Sequence, residues 1–565
     1  MNEIAHSEKR VTRILLAFTA PFVVLVTPFA KFIAFRDYGF FHPEVGVVIF
    51  WHFVLIIPLV LIGLLRPRTL LPAVLSLLAL SFILSEVDIR GSYPVFTLSQ
   101  LTDSPHLAYA SVILALVGLT LVAGWMIWRH IALLITGVFA AILISTVVLP
   151  QPVAAPTNLK TYKASSLNAT LPPVLHVVLD QQIAIEGFPA SIAESKAVAM
   201  EMRRFYQNHG FSFYSRAFTH FPATLESIPN LLNNHMTPDA IDNLKASGPL
   251  IYLKDNKWFS HLSKSGYAID VYQSRYIDFC GPPDAPVANI RNCLTYDQAD
   301  VRAFHKLDMA TTDKARLLRN YYLRVDHETL LTTTLYLYSK LRSFLDAYGI
   351  GLPEWNFKLI SPSPLITLDI MKQLNKRIST LQRGEAVFAH LLAPHDPFIV
   401  DNDCAVKSNP DHWTGRSNPL WKFNIKNSEA TRTFRYDAYI SQVRCTHQQL
   451  GVILEELEKS AHFDDMTIII HGDHGSMISS LEAFEMNQNV LSDRDLIDNY
   501  ATHFAYKKPG ILASEHREQR SIQSLFAEHI MGTQGVSDHP DIFLKPNKGI
   551  VGKNQVRRPM PPIRP

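Results

Sequence analysis

The 565 residues exceed one ordinary domain, and a 48% hydrophobic content with slightly positive mean hydropathy places part of the chain in lipid. A net charge of +3 without a clustered basic face excludes nucleic acid as a partner. Charge is also unevenly distributed: the first 150 residues carry few ionisable side chains, and most Asp, Glu, Lys and Arg lie after Lys160. That step divides a membrane part from a soluble part.

Five apolar segments follow one another in residues 1–150: Val11 to Phe35, Val45 to Leu65, Leu70 to Leu84, Leu107 to Trp128 and Ile131 to Pro150. A span needs about 20 mostly apolar residues, so the third is short, and a buried or re-entrant helix is its alternative. The first reads as an uncleaved span, because four more follow it. With the N-terminus inside, Lys9, Arg10, Arg13, Arg66, Arg68 and Arg129 are cytoplasmic. Five spans then carry everything after Pro150 outside. All four cysteines, Cys280, Cys293, Cys404 and Cys445, lie in that outer part, which fits an oxidising compartment. Cys280 with Cys293 and Cys404 with Cys445 are the natural pairs, although three connectivities exist and free buried thiols are the plainer alternative.

Residues 151–172, rich in Pro, Ser, Thr and Asn, have no helical or strand period and read as a linker. Val174 to Leu179 is a short apolar run ending in Asp180, as a buried parallel strand would be. Ala386 to Leu392 is a second such run, followed by Ala393-Pro394-His395-Asp396-Pro397-Phe398. Met466 to Ile470 is a third, ending in His471-Gly472-Asp473-His474-Gly475. Helical stretches lie between them, among them Asp437 to Ser460 with Ile440, Val443, Leu450, Ile453, Leu454 and Leu457 on one face. The alternation predicts a mostly parallel α/β sheet with helices on both faces. Ligands of such sheets bind beyond the carboxyl ends of strands, where three separate runs here deliver Asp or His.

Asp180 alone could be a turn former or helix cap. Asp473-His474-Gly475 is more specific, since a carboxylate beside an imidazole suits Zn²⁺ or Mn²⁺. In the stretch from Phe218 to Leu232, Thr224 precedes an apolar face made by Leu225, Ile228, Leu231 and Leu232. Its hydroxyl could cap that helix, or serve as a nucleophile activated by a metal or base, and the two roles are compatible. A helix N-terminus also favours the negative charge of a covalent phosphoryl group. His503, on a short late run, is read as core rather than a ligand, and His390 as a buried structural histidine. The segment Lys545 to Pro565 carries basic residues and prolines without acids and reads as a disordered tail near anionic head groups.

The order Asp180, then Thr224-x-x-Ser227-x-Pro229, then His395-x-Pro397-Phe398, then Asp473-His474-Gly475 resembles the alkaline phosphatase/sulfatase superfamily. Its membrane-anchored branch is the most similar, with its lipid A phosphoethanolamine transferases and lipoteichoic acid synthases, which place five spans before an outer catalytic domain. The resemblance implies a five-helix transmembrane bundle over residues 1–150, a linker over 151–172, an alkaline phosphatase-like catalytic domain over 173–540 and a basic tail over 541–565.

It further implies Thr224 as nucleophile and metal contact, Asp180, Asp473 and His474 as ligands of a divalent metal, Zn before Mn or Mg, and His395 as a group acting on the phosphoryl or leaving group. The implied partners are a membrane lipid donor and a cell-envelope glycan or lipid acceptor, at a bacterial inner membrane with the catalytic domain in the periplasm. Several positions depart from the family patterns. Gln181 stands where sulfatases carry a second Asp for calcium. Ser227-Ile228-Pro229 begins the sulfatase formylglycine pattern, but Leu231 replaces its Arg, so Ser227 is read as a hydrogen-bonding neighbour. Pro222-Ala223-Thr224 replaces the transferases' Cys-Gly-Thr, Asp180 stands where they carry Glu, and Ser476 replaces an acidic residue after Asp-His-Gly. A periplasmic phosphodiesterase or sulfuric-ester hydrolase, and an inactive membrane scaffold, are the alternatives.

Overall fold

The computed structural model describes residues 2–65, 115, 118, 122, 128–149, 157–162, 167–237, 244–247, 250–281, 289–296, 300–326, 338–346, 348–352, 363–409, 413, 429–478, 481–533, 538–546 and 555–564. Two units emerge. The first joins Met1–Ala155 to Val301–Ile360, and the second joins Pro156–Asp300 to Ser361–Pro565. The division differs from a single domain over 173–540, because 301–360 clusters with the N-terminal helices.

In the first unit, α1 (Asn2–Phe35), α2 (Pro43–Leu65) and α3 (Trp128–Val148) are helical. Two described helices are long and apolar enough to cross a membrane, over Phe18–Phe35 and Pro43–Leu61, and Leu133–Val148 is a shorter apolar helix. The expected span Leu70 to Leu84 lies outside the described residues, as does Leu107 to Trp128 except for isolated positions, so the expected five-helix bundle is not shown. Ala20, Val24 and Phe139 pack α1 on α3, and Thr27 adds a hydroxyl bond to the Phe139 carbonyl at 3.2 Å. The inserted segment packs beside them for a simple reason: its apolar and aromatic residues find partners there. Tyr322 meets the rings of Phe29 and Phe32, each at 5.4 Å, and His305 stacks on His42 at 4.9 Å.

The second unit is built on a nine-stranded sheet. Its strands are β1 (Thr157–Thr161), β2 (Val174–Leu179), β3 (Ser212–Tyr214), β6 (Ala268–Ser274), β7 (Ile290–Tyr296), β8 (Glu385–Leu391), β9 (Thr467–Gly472), β10 (Phe504–Lys507) and β11 (Ser514–His516), in the order β1-β7-β6-β8-β2-β9-β10-β3-β11. The pair β4 (Leu244–Ser247) and β5 (Leu250–Leu253) stands apart from it. The run from β7 through β6, β8 and β2 to β9 is parallel, and β1 and β10 join antiparallel. β2 sits mid-sheet, buried at every position, which is why its sequence is continuously apolar rather than alternating.

Alternate β2 side chains serve the two faces. Leu175, Val177 and Leu179 face a core shared with α4 (Ser195–Asn208), α8 (Ser363–Ile378) and α9 (Glu429–Glu458), through Val198, Ile370 and Ile440. Val174 and Val178 face another, shared with α5 (Thr224–Leu232), α6 (Lys257–Ser265) and α11 (Ile522–His529), through Ile228, Trp258 and Leu525. The α/β sheet covered on both sides agrees with the alternation read from sequence. The remaining helices are α7 (Thr311–Asp326) in the first unit and α10 (Asp493–Tyr500) in the second.

Two stretches are more ordered than their composition suggests. The linker 151–172 contains the edge strand β1, paired to β7 with Thr157 opposite Tyr296; bonding on one side only leaves no apolar alternation to read. The expected disordered tail contains β13 (Arg557–Pro559), paired with β12 (Asp541–Phe543), and Met560 and Ile563 are buried in the core. Two apolar residues among many basic ones sufficed to anchor it. Both natural cysteine pairs are disulfides, Cys280 with Cys293 and Cys404 with Cys445.

Candidate metal centre

The three central strands end level. Leu179 of β2 lies opposite Leu391 of β8 on one side and Gly472 of β9 on the other. The chain leaves the sheet at one height three times, and this register brings Asp180, the 393–398 turn and Asp473-His474 together from distant sequence. Asp180, Asp473 and His474 are all buried, and each offers a ligand atom within 4.8 Å of the others.

Backbone and side-chain bonds aim these atoms. Asp473 Oδ1 accepts the backbone N–H groups of Gln181 at 3.0 Å and His474 at 2.8 Å, which leaves Oδ2 with no hydrogen-bond partner. Asp180 Oδ1 likewise has none. His474 Nδ1–H donates to the Gly475 carbonyl at 3.0 Å, so the lone pair sits on Nε2, 3.6 Å from Asp180 Oδ1 and 3.4 Å from Asp473 Oδ2. Buried carboxylate oxygens with no donor are costly. Here two of them converge with an imidazole lone pair, a donor set that fits a divalent cation of the Zn²⁺ or Mn²⁺ type.

The electrostatics agree. Burial and the adjacent Asp180 carboxylate push Asp473 up to about 7. Asp180 is also buried, which alone would raise it, but the His395, His390 and His474 rings hold it below the usual carboxylate range. Two adjacent carboxylates share their charge badly without a cation.

Thr224 opens α5 and is buried. The N-cap is Ala223, in extended conformation, so the capping role is not the one Thr224 takes. Its hydroxyl instead lies 3.3 Å from His474 Nε2 and donates toward it. Ser227, one turn on, donates to the Asp473 carbonyl at 2.6 Å and accepts from Thr219 at 2.9 Å, so it is a hydrogen-bonding neighbour that steadies the Asp473-His474 loop. His395 is half-buried, and its Nδ1–H donates to the Asp396 carbonyl at 2.6 Å, which leaves Nε2 for another partner. His503 is buried and stacks on Tyr206 at 4.2 Å, in the core rather than in the cluster.

Three contributors escape sequence reasoning. His390, read as structural, places Nε2 3.6 Å from Asp180 Oδ2. Gln181 holds φ at +66°, a conformation that a non-glycine residue adopts only under constraint. Its amide donates to Asp396 Oδ1 at 3.2 Å and accepts the Asp396 N–H at 3.3 Å, tying the His395 turn to the Asp473 loop. The third is a buried buttress: Asp498 accepts from Tyr436, Arg494 and Arg432, and Tyr436 also bonds Ser476 at 3.0 Å. Gly475 lies so close to this network that a Cβ would run into the Asp498 carbonyl. The one legible signal was Gly475 itself, since a glycine after two candidate ligands marks a close backbone approach.

No curated protein matches the chain. Among solved structures it is similar to a phosphonate monoester hydrolase of Agrobacterium radiobacter (13% identity, covering 65% of this chain and 74% of that one, TM-score 0.36). It is also similar to BT33494S-sulf of Bacteroides thetaiotaomicron (13%, 69% and 83%, TM-score 0.37) and to the C-terminal periplasmic domain of EcEptC from Escherichia coli in complex with Zn (8%, 63% and 77%, TM-score 0.32). Likenesses this remote say nothing about substrate. Residues 365–542, the stretch that contains His395, Asp473 and His474, match the Sulfatase family, which is consistent with the alkaline phosphatase/sulfatase superfamily.

Proposed function

We propose that this protein is a membrane-bound, metal-dependent enzyme that transfers a phospho head group, of phosphoethanolamine or phosphoglycerol type, from a lipid to a cell-envelope glycan or lipid. The observation that carries the reading is the hydroxyl of Thr224, buried at the start of a helix and 3.3 Å from His474 Nε2, beside two carboxylate oxygens without donors. The two apolar helices of the first unit support attachment to the inner membrane, and the two disulfides support a periplasmic outer domain.

Asp180, Asp473 and His474 would hold the cation, with Thr224 beside it. A cation there lowers the pKa of a neighbouring hydroxyl and neutralises charge on phosphoryl oxygens. With its proton released to solvent, Thr224 Oγ1 would attack phosphorus as the alkoxide; the P–O ester bond to the lipid breaks, and the departing lipid alkoxide takes a proton from His395 Nε2. The N-terminus of α5 favours the phosphothreonine charge. An acceptor hydroxyl then attacks the same phosphorus and gives its proton to the now neutral His395, and Thr224 Oγ1 leaves as the alkoxide in which it began. The Sulfatase match supports a second reading, in which water takes the acceptor's place and the protein is a hydrolase of a phosphodiester or sulfuric ester.

Comparing lipid extracts of a deletion strain and its parent tests the reading. A modified envelope lipid or glycan missing from the deletion strain, and restored by the wild-type gene but not by Thr224→Ala, is the expected result. Identical extracts would sink it.

A further inference from the structure

The C-terminal segment, β12 and the residues after it, lies against the loop that delivers Thr224. Phe543 N–H donates to the His220 carbonyl at 2.9 Å, and His220 Nδ1–H donates to the Asp541 carbonyl at 2.6 Å, so one residue bonds β12 through both main chain and side chain. Rings close the contact: His539 stacks on His220 at 4.3 Å, and Phe543 stacks on Phe221 at 5.3 Å. His220, Phe221 and Phe543 are all buried. His220 Nε2 is buried with no hydrogen-bond partner. An apolar ring would fill the same space without that cost, so packing alone does not account for an imidazole here, whereas the Nδ1–H bond does.

The same strand holds the other side of the centre. Lys545 N–H donates to the Ala483 carbonyl at 2.8 Å and the Lys545 carbonyl accepts the Glu485 N–H at 2.9 Å, on the chain that runs on from Asp473-His474. Tyr500 Oη–H donates to the Phe543 carbonyl at 2.7 Å from the end of α10, the helix that carries Asp498. The Tyr500 carbonyl in turn accepts the Thr219 N–H at 2.9 Å. Thr219 bonds Ser227, and through it the Asp473 carbonyl. Residues 541–545 therefore tie the segment that precedes the candidate nucleophile to the segment that follows the candidate ligands. The 3.3 Å between Thr224 Oγ1 and His474 Nε2 spans these two segments.

We propose that β12, acting through His220, clamps the loop before α5 and so sets the Thr224 hydroxyl against His474, which makes His220 a positioning residue for the transfer. This deepens the proposed function and rests on it in taking Thr224 as the nucleophile.

The test uses the full chain in detergent micelles and compares three variants with wild type. His220→Asn keeps a donor where Nδ1–H lies, His220→Phe keeps the ring without any donor, and His220→Gln puts its donor where Nε2 lies and misses Asp541. With a chromogenic phosphodiester, His220→Phe and His220→Gln should each lower kcat about tenfold or more, with KM within about twofold of wild type and metal content unchanged. His220→Asn should recover most of that loss. Packing alone predicts the reverse order, because Asn removes the ring and leaves a cavity that Phe fills. A second readout needs no turnover. Backbone amides of residues 217–232 should exchange with solvent faster in His220→Phe and His220→Gln than in wild type, and at close to the wild-type rate in His220→Asn. Either of the two donor-less or misplaced-donor variants suffices for both comparisons if the other does not accumulate. His220→Phe or His220→Gln as active as His220→Asn, or exchange over 217–232 unchanged in them, overturns the clamp. If instead Thr224→Ala keeps its activity, the proposed chemistry fails, and the exchange rates still decide whether β12 holds the loop through His220.

Discussion

Replacing Thr224 by Ala and, separately, Ser227 by Ala distinguishes a nucleophile from its support. Both hydroxyls are buried on α5, one turn apart, and both face the Asp473-His474 loop. Ser227 makes two bonds, donating to the Asp473 carbonyl at 2.6 Å and accepting from Thr219 at 2.9 Å. Its loss leaves that carbonyl and the Thr219 hydroxyl short of a partner, which costs about 1–3 kcal/mol. If all of it appeared in the transition state, turnover would fall roughly 5- to 150-fold. Thr224 is different in kind. Without its oxygen there is no covalent intermediate, and the expected loss is about 10⁴-fold or more. The metal should stay bound in both variants, because Asp180, Asp473 and His474 are intact. Turnover of a chromogenic phosphodiester, with metal content by mass spectrometry on the same samples, separates the cases. Wild-type protein quenched during turnover should also yield phosphothreonine on a peptide covering Ala217 to Leu232. An active Thr224→Ala beside a dead Ser227→Ala would refute the assignment and move the nucleophile to Ser227.

Asp473→Asn removes the charge of an oxygen that has no donor, so metal content should fall severalfold or more while the fold survives; full occupancy in that variant would take Asp473 out of the ligand set. Acid should weaken the second unit through its buried histidines, against the opposing effect of Asp473 and Glu226, which burial raises to about 7. Burial lowers His220, His447 and His471 each to about 4, so the unfolded chain binds more protons than the native one between about 6.5 and 4, and stability falls with pH across that window. Each contributes about 2 kcal/mol at pH 5, and a melting temperature unchanged between pH 7 and 5 would contradict this. Replacing both Cys404 and Cys445 by Ser opens a loop of 41 residues, for which chain entropy predicts a loss of about 4 kcal/mol; a chemical-denaturation midpoint equal to wild type would show that the closure adds nothing.

What the sequence discloses and what it conceals have physical reasons. Asp180, His395, Asp473 and His474 were legible because each follows a buried strand, and buried parallel strands are apolar at every position. The register of Leu179 with Leu391 and Gly472 then does the assembling, and that pairing has no local signature. Gln181 was visible only as a departure from a calcium ligand. Its role depends on a positive φ and on Asp396, 215 positions away, and neither leaves a trace in composition. His390 reads as core from its apolar surroundings, and it is buried; proximity to Asp180 adds a second property that burial does not predict. The largest misreading, a continuous domain over 173–540, has the same origin. Leu317, Leu318, Tyr321 and Tyr322 form an apolar face as any core helix would, and the sequence does not say against which surface it is buried. Periodicity reports that a face is covered. It leaves the covering partner open, and here the partner is the pair of apolar helices α1 and α2.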